Sequence, residues 1–182
     1  MLASVPISIL RFARGVNLPR RAYLDTNLLL LARDERSYKY REASTCLGEL
    51  LVQGVELCVS PLVLDELWWI LFHVSHKYAT GHELDAQEYK RNADIWRDGW
   101  PRIHQITDDI LRWNRMSIVG TASPKALVSE AVALMDVNPL SPRDAFHLAV
   151  ALHNGIPSLV TADADFDKAQ LPAGKTLTLV RF

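Results

Sequence analysis

The sequence predicts an α/β domain, a three-layer α/β/α sandwich around a mostly parallel sheet of about five strands. Two observations carry this. Short apolar runs bounded by turn residues recur along the chain, and longer amphipathic stretches separate them. Such alternation builds a sheet through helical crossovers, which leave its strands parallel and both faces covered. The 182 residues contain no repeat, linker or low-complexity tract. One domain is therefore expected over residues 21–182, with an N-terminal extension over 1–20.

In chain order, residues 21–25 read as a buried strand, and a helix follows with Asn27 as its expected N-cap. Residues 41–53 form an amphipathic helix stopped by Gly54, and VELCVS over 55–60 is a second strand. Ser60-Pro61 supplies a cap and a first-turn proline for a long helix to about Tyr78. A charged helix is expected over 83–98 and a third strand at RIHQI, 102–106. Helices over 107–116 and 124–136 follow. Ser141-Pro142 opens another that Gly155 closes, and strands at 158–161 and 176–180 complete the list.

Composition narrows the function classes. A net charge of −1 provides no global basic field, so any nucleic-acid binding must rest on a local patch. Cys46 and Cys58 form neither a disulfide framework nor a zinc motif, and read as buried thiols in a reducing compartment. No apolar run is long enough to span a membrane, and the N-terminal run lacks the charge and cleavage pattern of a signal peptide. The expectation is a cytoplasmic protein without membrane attachment.

The acids point to chemistry. In a parallel sheet, strand carboxyl ends and helix amino ends share one edge, where ligands bind. Asp25 closes the first strand inside AYLDTNLLLLA. Glu66 lies in the second turn of the helix after the second strand, Asp144 in the first turn of a later helix, and Asp163 just past Thr161. With three helices running down, up and down between the third and fourth strands, all four acids meet at that edge. Clustered carboxylates raise one another's pKa unless a cation joins them. Oxygen donors without thiolate partners select Mg²⁺ or Mn²⁺, and such sites typically hydrolyse phosphodiesters.

YLDTNLLL, SPLVLDEL, SPRDAFHLAVAL and LVTADADF, in this order and at these separations, resemble the PIN domain, in particular the VapC-type ribonuclease toxins. The resemblance spans roughly residues 21–180. It implies a Mg²⁺- or Mn²⁺-dependent endoribonuclease acting on single-stranded regions of RNA, with Asp25, Glu66, Asp144 and Asp163 as catalytic acids. Asp25, Asp144 and Asp163 are the expected metal ligands. Asn27, Thr161, Asp165 and Arg143 are expected beside them, orienting the acids or contacting substrate. The resemblance also implies a homodimer and an antitoxin partner. The chain departs from the compact toxins in two places: a basic N-terminal stretch with Arg11, Arg14, Arg20 and Arg21, and a longer, tryptophan-rich middle from Trp68 to Trp113.

Structural alternatives stand beside these readings. Asp25 could cap a strand-to-helix turn, and Ser141-x-x-Asp144 is a capping-box pattern. Glu66 borders the apolar face set by Val63, Leu67, Ile70, Leu71 and Val74, whereas Asp65 points away. His147, three residues after Asp144, shares its helix face and reads as a packed or supporting residue rather than a ligand. Trp68, Trp69 and Phe72 read as buried under the 83–98 helix, with a partner surface as the alternative. A haloacid dehalogenase phosphatase would need an acid where Asn27 stands, and a dinucleotide fold a glycine-rich turn there. The competing function is a catalytically inactive PIN-like RNA-binding or scaffolding module.

Overall fold

The computed structural model describes residues 4–85, 87–91 and 94–182. Along the chain run β1 (Ser4–Pro6), β2 (Ser8–Arg11), β3 (Arg21–Leu24), α1 (Thr26–Leu31), α2 (Tyr40–Val52), β4 (Glu56–Val59) and α3 (Pro61–Thr80). Then come α4 (Glu88–Arg91), α5 (Asp94–Leu111), β5 (Met116–Ile118), α6 (Pro124–Val137), α7 (Pro142–His153) and β6 (Ser158–Thr161). A 3-10 turn (Ala164–Lys168), β7 (Gln170–Pro172) and β8 (Thr178–Arg181) complete the chain.

Six strands form one parallel sheet in the order β2-β8-β6-β3-β4-β5, and β1 pairs antiparallel with β7 beside it. The path runs from β3 outward to β4 and β5, then returns across β3 to β6 and on to β8. Right-handed crossovers therefore set α1 to α5 over one face and α6 with α7 over the other. The reversal falls between β3 and β6, and there the carboxyl ends of adjacent strands leave a crevice. The expected α/β sandwich is observed.

Local chemistry accounts for the elements that frame the crevice. Ala22, Tyr23, Leu24, Leu57, Cys58, Val59, Leu159 and Val160 are fully enclosed, as a strand covered on both faces requires. Ser60 Oγ accepts from Val63 N to cap α3, Pro61 fills its first turn, and Gly81 ends it at φ 78°. Ser141 Oγ likewise accepts from Asp144 N to open α7.

Several boundaries differ from expectation. RIHQI is helical, lying inside α5, because Ile103 and Ile106 are spaced to pack on neighbouring helices and α5 packs along α3. The third strand is instead Met116–Ile118, a short edge strand. Two helices, α6 and α7, rather than three, connect it to β6. The expected 83–98 helix is α4 plus the start of α5, with residues 86, 92 and 93 outside the described set. The sixth strand is β2, from the N-terminal segment. Asp25, not Asn27, occupies the N-cap of α1, and Asn27 sits within the helix.

Phe72 is enclosed, stacked on Trp96 with centroids 4.2 Å apart, and a side chain at Gly99 would approach Phe72 Cδ2 to 2.9 Å. α5 thus comes close to α3 there because residue 99 has no Cβ. Trp68 and Trp69 are not buried: they retain 40% and 38% exposure and line a groove of about 400 Å³ with Trp96, Trp100 and Ile103.

Candidate active site

Asp25 stands at the end of β3, 7% exposed, at the crevice between β3 and β6. Thr161, the last residue of β6, donates its hydroxyl to Asp25 Oδ2 at 2.6 Å, and Asn27 Nδ2 donates to the same oxygen. Asn27 also receives the Ala162 N–H on Oδ1 and donates to Thr161 Oγ1, so it stitches the two strand ends together. Burial pushes the Asp25 carboxyl above its ordinary pKa; the His147 ring and the Thr161 hydroxyl oppose this, and Glu66 adds to it. The elevation expected for a crowded acid is present, with burial as its main cause.

Glu66 is buried beside it, whereas Asp65 is exposed, as the face of α3 dictates. Its Oε2 accepts from Thr26 Oγ1 at 2.8 Å and from His147 Nε2 at 2.9 Å. Its Oε1 lies 3.6 Å from Arg143 Nε. Burial raises the Glu66 pKa, but the hydrogen bond from His147, with Thr26 and Arg143, outweighs it and holds the carboxyl below the ordinary range. His147 also meets Tyr23 Oη at its other ring nitrogen, 2.9 Å away, and Tyr23 Oη lies 2.6 Å from Ser60 Oγ. Burial drives the Tyr23 phenol well above its ordinary pKa.

The acids and His147 fall into two trios. Asp25, Glu66 and His147 each place one potential ligand atom within 4.8 Å of the others, and so do Asp144, Asp163 and Asp165. Asp25 thus groups with Glu66, while Asp144 and Asp163 group with Asp165. Thr161 Oγ1 links the trios by accepting from Asp163 N while donating to Asp25. Arg143, adjacent to Asp144, links them again through Glu66. Asp163 Oδ1 accepts from Asp165 N and caps the 3-10 turn. The cap at α7 is made by Ser141 Oγ and the Asp144 backbone, so the Asp144 carboxylate does not make it.

These donors fit a hard divalent cation. Carboxylate oxygens dominate both trios, and the imidazole has both nitrogens engaged by Tyr23 and Glu66. Cations lie at both edges of the sheet. Arg143 and Lys168 lie at the carboxyl edge, as does Arg11 at the end of β2. Arg21 begins β3 at the amino edge, where it pairs with Glu56 at 3.0 Å, and Arg20 precedes it.

Sequence reasoning missed Tyr23, Thr26 and the network role of Ser60. One signal was available: Tyr23 is two residues before Asp25 on a strand, hence on the same face.

Comparison with known proteins bears on the fold and the family. A family model for the PIN domain matches residues 22–171. Ribonuclease VapC6 of Methanocaldococcus jannaschii is 23% identical over 153 residues, 82% of this chain and 93% of that protein. VapBC2 from Rickettsia felis, solved with a DNA fragment from its promoter, superposes with a TM-score of 0.52 at 16% identity, covering 80% of this chain and 90% of that one. FitAcB from Neisseria gonorrhoeae gives 0.52 at 13% identity, with coverages of 80% and 90%. At such identities the superpositions speak for the fold. The motif order, the six-stranded sheet and the family match converge: the chain belongs to the PIN-domain family and resembles the VapC-type toxins within it.

Proposed function

We propose that this protein is a metal-dependent endoribonuclease that hydrolyses phosphodiester bonds in single-stranded regions of RNA. The observation that carries the reading is the pair of acid-rich trios at the crevice between β3 and β6, tied together by Thr161. Asp25, Asp144 and Asp163 would hold Mg²⁺ or Mn²⁺, with Asp165 in reach of the last two. When bound, the ion supplies an activated water and neutralises charge at the phosphate.

The chain's own residues set the rest. Thr161 and Asn27 fix Asp25 through Oδ2, and neither engages Oδ1. Glu66 stays ionised because its donors hold its pKa down, and its Oε1 faces the rim as a proton acceptor. Arg143, with its side chain 62% exposed, is placed to meet a substrate phosphate beside Glu66. Single-stranded RNA suits an open crevice of this kind, because its backbone bends to bring one phosphate to the rim.

The reading extends to partners. VapBC2 from Rickettsia felis is bound to a DNA fragment from its promoter, and a cognate antitoxin is proposed for this chain on that likeness. The exposed rings of Trp68 and Trp69 on α3 support a homodimer through that face. The inactive RNA-binding alternative predicts binding without cleavage. Incubating purified protein with unstructured RNA and Mn²⁺, with and without a chelator, separates the two: chelator-sensitive cutting is expected, and binding alone would leave the inactive module.

A further inference from the structure

We infer that Tyr23 and Ser60 set the tautomer of His147, and that the ring so fixed is a positioning residue for Glu66. Four elements meet in one buried polar chain: Ser60 at the start of α3, Tyr23 in β3, His147 in α7 and Glu66 in α3, with Thr26 from α1 closing it. His147 is only 2% exposed, so protein groups must satisfy both of its nitrogens.

The hydrogen directions follow from the donors available. Glu66 Oε2 receives Thr26 Oγ1 and His147 Nε2, so Nε2 carries a hydrogen. Ser60 Oγ accepts the backbone N–H of Val63 and still holds a hydrogen of its own to give to Tyr23 Oη. In a ring that carries its hydrogen on Nε2 alone, Nδ1 is an acceptor, and the phenol hydrogen goes to it. The sequence Val63 N–H, Ser60, Tyr23, His147, Glu66 is unidirectional, and every member has its partner.

The consequence is geometric. With Oε2 held by two inner donors, the carboxylate of Glu66 is fixed in plane, and Oε1 points to the rim where Arg143 Nε lies 3.6 Å away. A ring of the opposite tautomer would present a lone pair to Oε2 and repel it, loosening Glu66. Because both nitrogens are committed, His147 acts through Glu66 and is not itself a ligand.

The catalytic part of this inference rests on the ribonuclease reading, and the test separates the two. In the full chain labelled with nitrogen-15 at histidine, the His147 ring should show a protonated Nε2 and an unprotonated Nδ1. Tyr23→Phe keeps the buried ring and removes only the hydroxyl; it should mix the tautomers and lower kcat for RNA cleavage by about 10- to 100-fold, with KM little changed. His147→Gln, whose amide can still donate to Glu66, should retain more kcat than His147→Leu. A merely structural role would lower melting temperature without these changes in ring spectrum or in the kcat-to-KM split. A protonated Nδ1 in wild type, or unaltered ring signals and kcat in Tyr23→Phe, would overturn the inference. Should no preparation cut RNA, the ribonuclease reading fails, and the ring spectra alone decide the tautomer.

Discussion

The hydroxyl of Thr161 donates to Asp25 Oδ2 at 2.6 Å across the seam where β6 meets β3. Two strands 136 residues apart in sequence thus define one carboxylate position. Thr161→Val preserves shape and removes the donor. It should cost about 1–3 kcal/mol when Asp25 is ionised, and weaken Mn²⁺ binding by about 10- to 100-fold. Thr161→Ser should retain most of both. Urea melts in chelator together with Mn²⁺ titrations check this, and equal behaviour of the Val and Ser variants would contradict it.

Asp25 and Glu66 should respond to pH with opposite signs in the metal-free protein. Asp25 has a raised pKa, mainly through burial, so its stabilising contribution is complete below the ordinary aspartate range and is lost as pH rises through its elevated value. Asp25→Asn should therefore leave the protein as stable or more stable at neutral pH, while abolishing metal-dependent cleavage. Glu66 has a lowered pKa, so its contribution is present above the ordinary glutamate range and is lost as pH falls through its depressed value. Glu66→Gln should destabilise at neutral pH by about 1–3 kcal/mol. Both differences from wild type should shrink on acidification. Melting curves in chelator from neutral to acidic pH decide it, and a loss of stability in Asp25→Asn at neutral pH would refute the sign.

Metal linkage gives an independent readout. Mn²⁺ should raise the melting temperature of wild type and raise that of Asp25→Asn and Asp144→Asn less, because a ligand that binds only the folded state stabilises it by mass action. Calorimetric scans with and without Mn²⁺ check this. If both mutants respond to Mn²⁺ as wild type does and still cut RNA, neither acid holds the ion.

The site was legible where local signals coincide with topology. Asp25 ends an apolar strand, Ser60-Pro61 and Ser141-Pro142 announce helices, and the acids follow each at fixed offsets. What escaped notice depends on distant partners. Ser8–Arg11 becomes a strand only because β8, about 170 residues later, offers it an edge. RIHQI has strand-like composition, but the long apolar side of α3 draws Ile103 and Ile106 into a helix. The division of the acids into two trios, and the engagement of His147 by Tyr23, are three-dimensional facts without a spacing signature.

RNA affinity should show a shallow salt dependence. The cations at the carboxyl edge, Arg143, Lys168 and Arg11, allow about three phosphate contacts, which gives a log–log slope of about −2 for a single strand. Arg143→Ala should reduce that slope by about 0.7. Arg20→Ala, at the amino edge, should leave it unchanged. Filter binding to unstructured RNA over a salt series, in chelator to prevent cutting, tests both. A much steeper slope would move the RNA surface elsewhere.

The last expectation concerns the tryptophans of α3 and α5, where neighbouring rings have separate tasks. Phe72 is enclosed and stacked on Trp96, so Phe72→Ala removes core and should cost about 3–5 kcal/mol. Gly99→Ala should also destabilise, since its new methyl meets Phe72 Cδ2 at 2.9 Å. Trp68 differs: it is 40% exposed and held at one edge by a hydrogen bond from Nε1 to Thr107 Oγ1 at 2.8 Å. Trp68→Ala forfeits that bond and half-buried ring area, and should cost the monomer less than Phe72→Ala does. If the proposed homodimer uses this face, however, a ring at its centre carries a disproportionate share of association energy, and the same change should weaken dimerisation by about 2 kcal/mol or more. Sedimentation of wild type and Trp68→Ala across a concentration series, beside urea melts of all three variants, separates core from interface. A well-folded wild-type monomer at every concentration would dispose of the dimer, and unaltered association in Trp68→Ala would place it on another face.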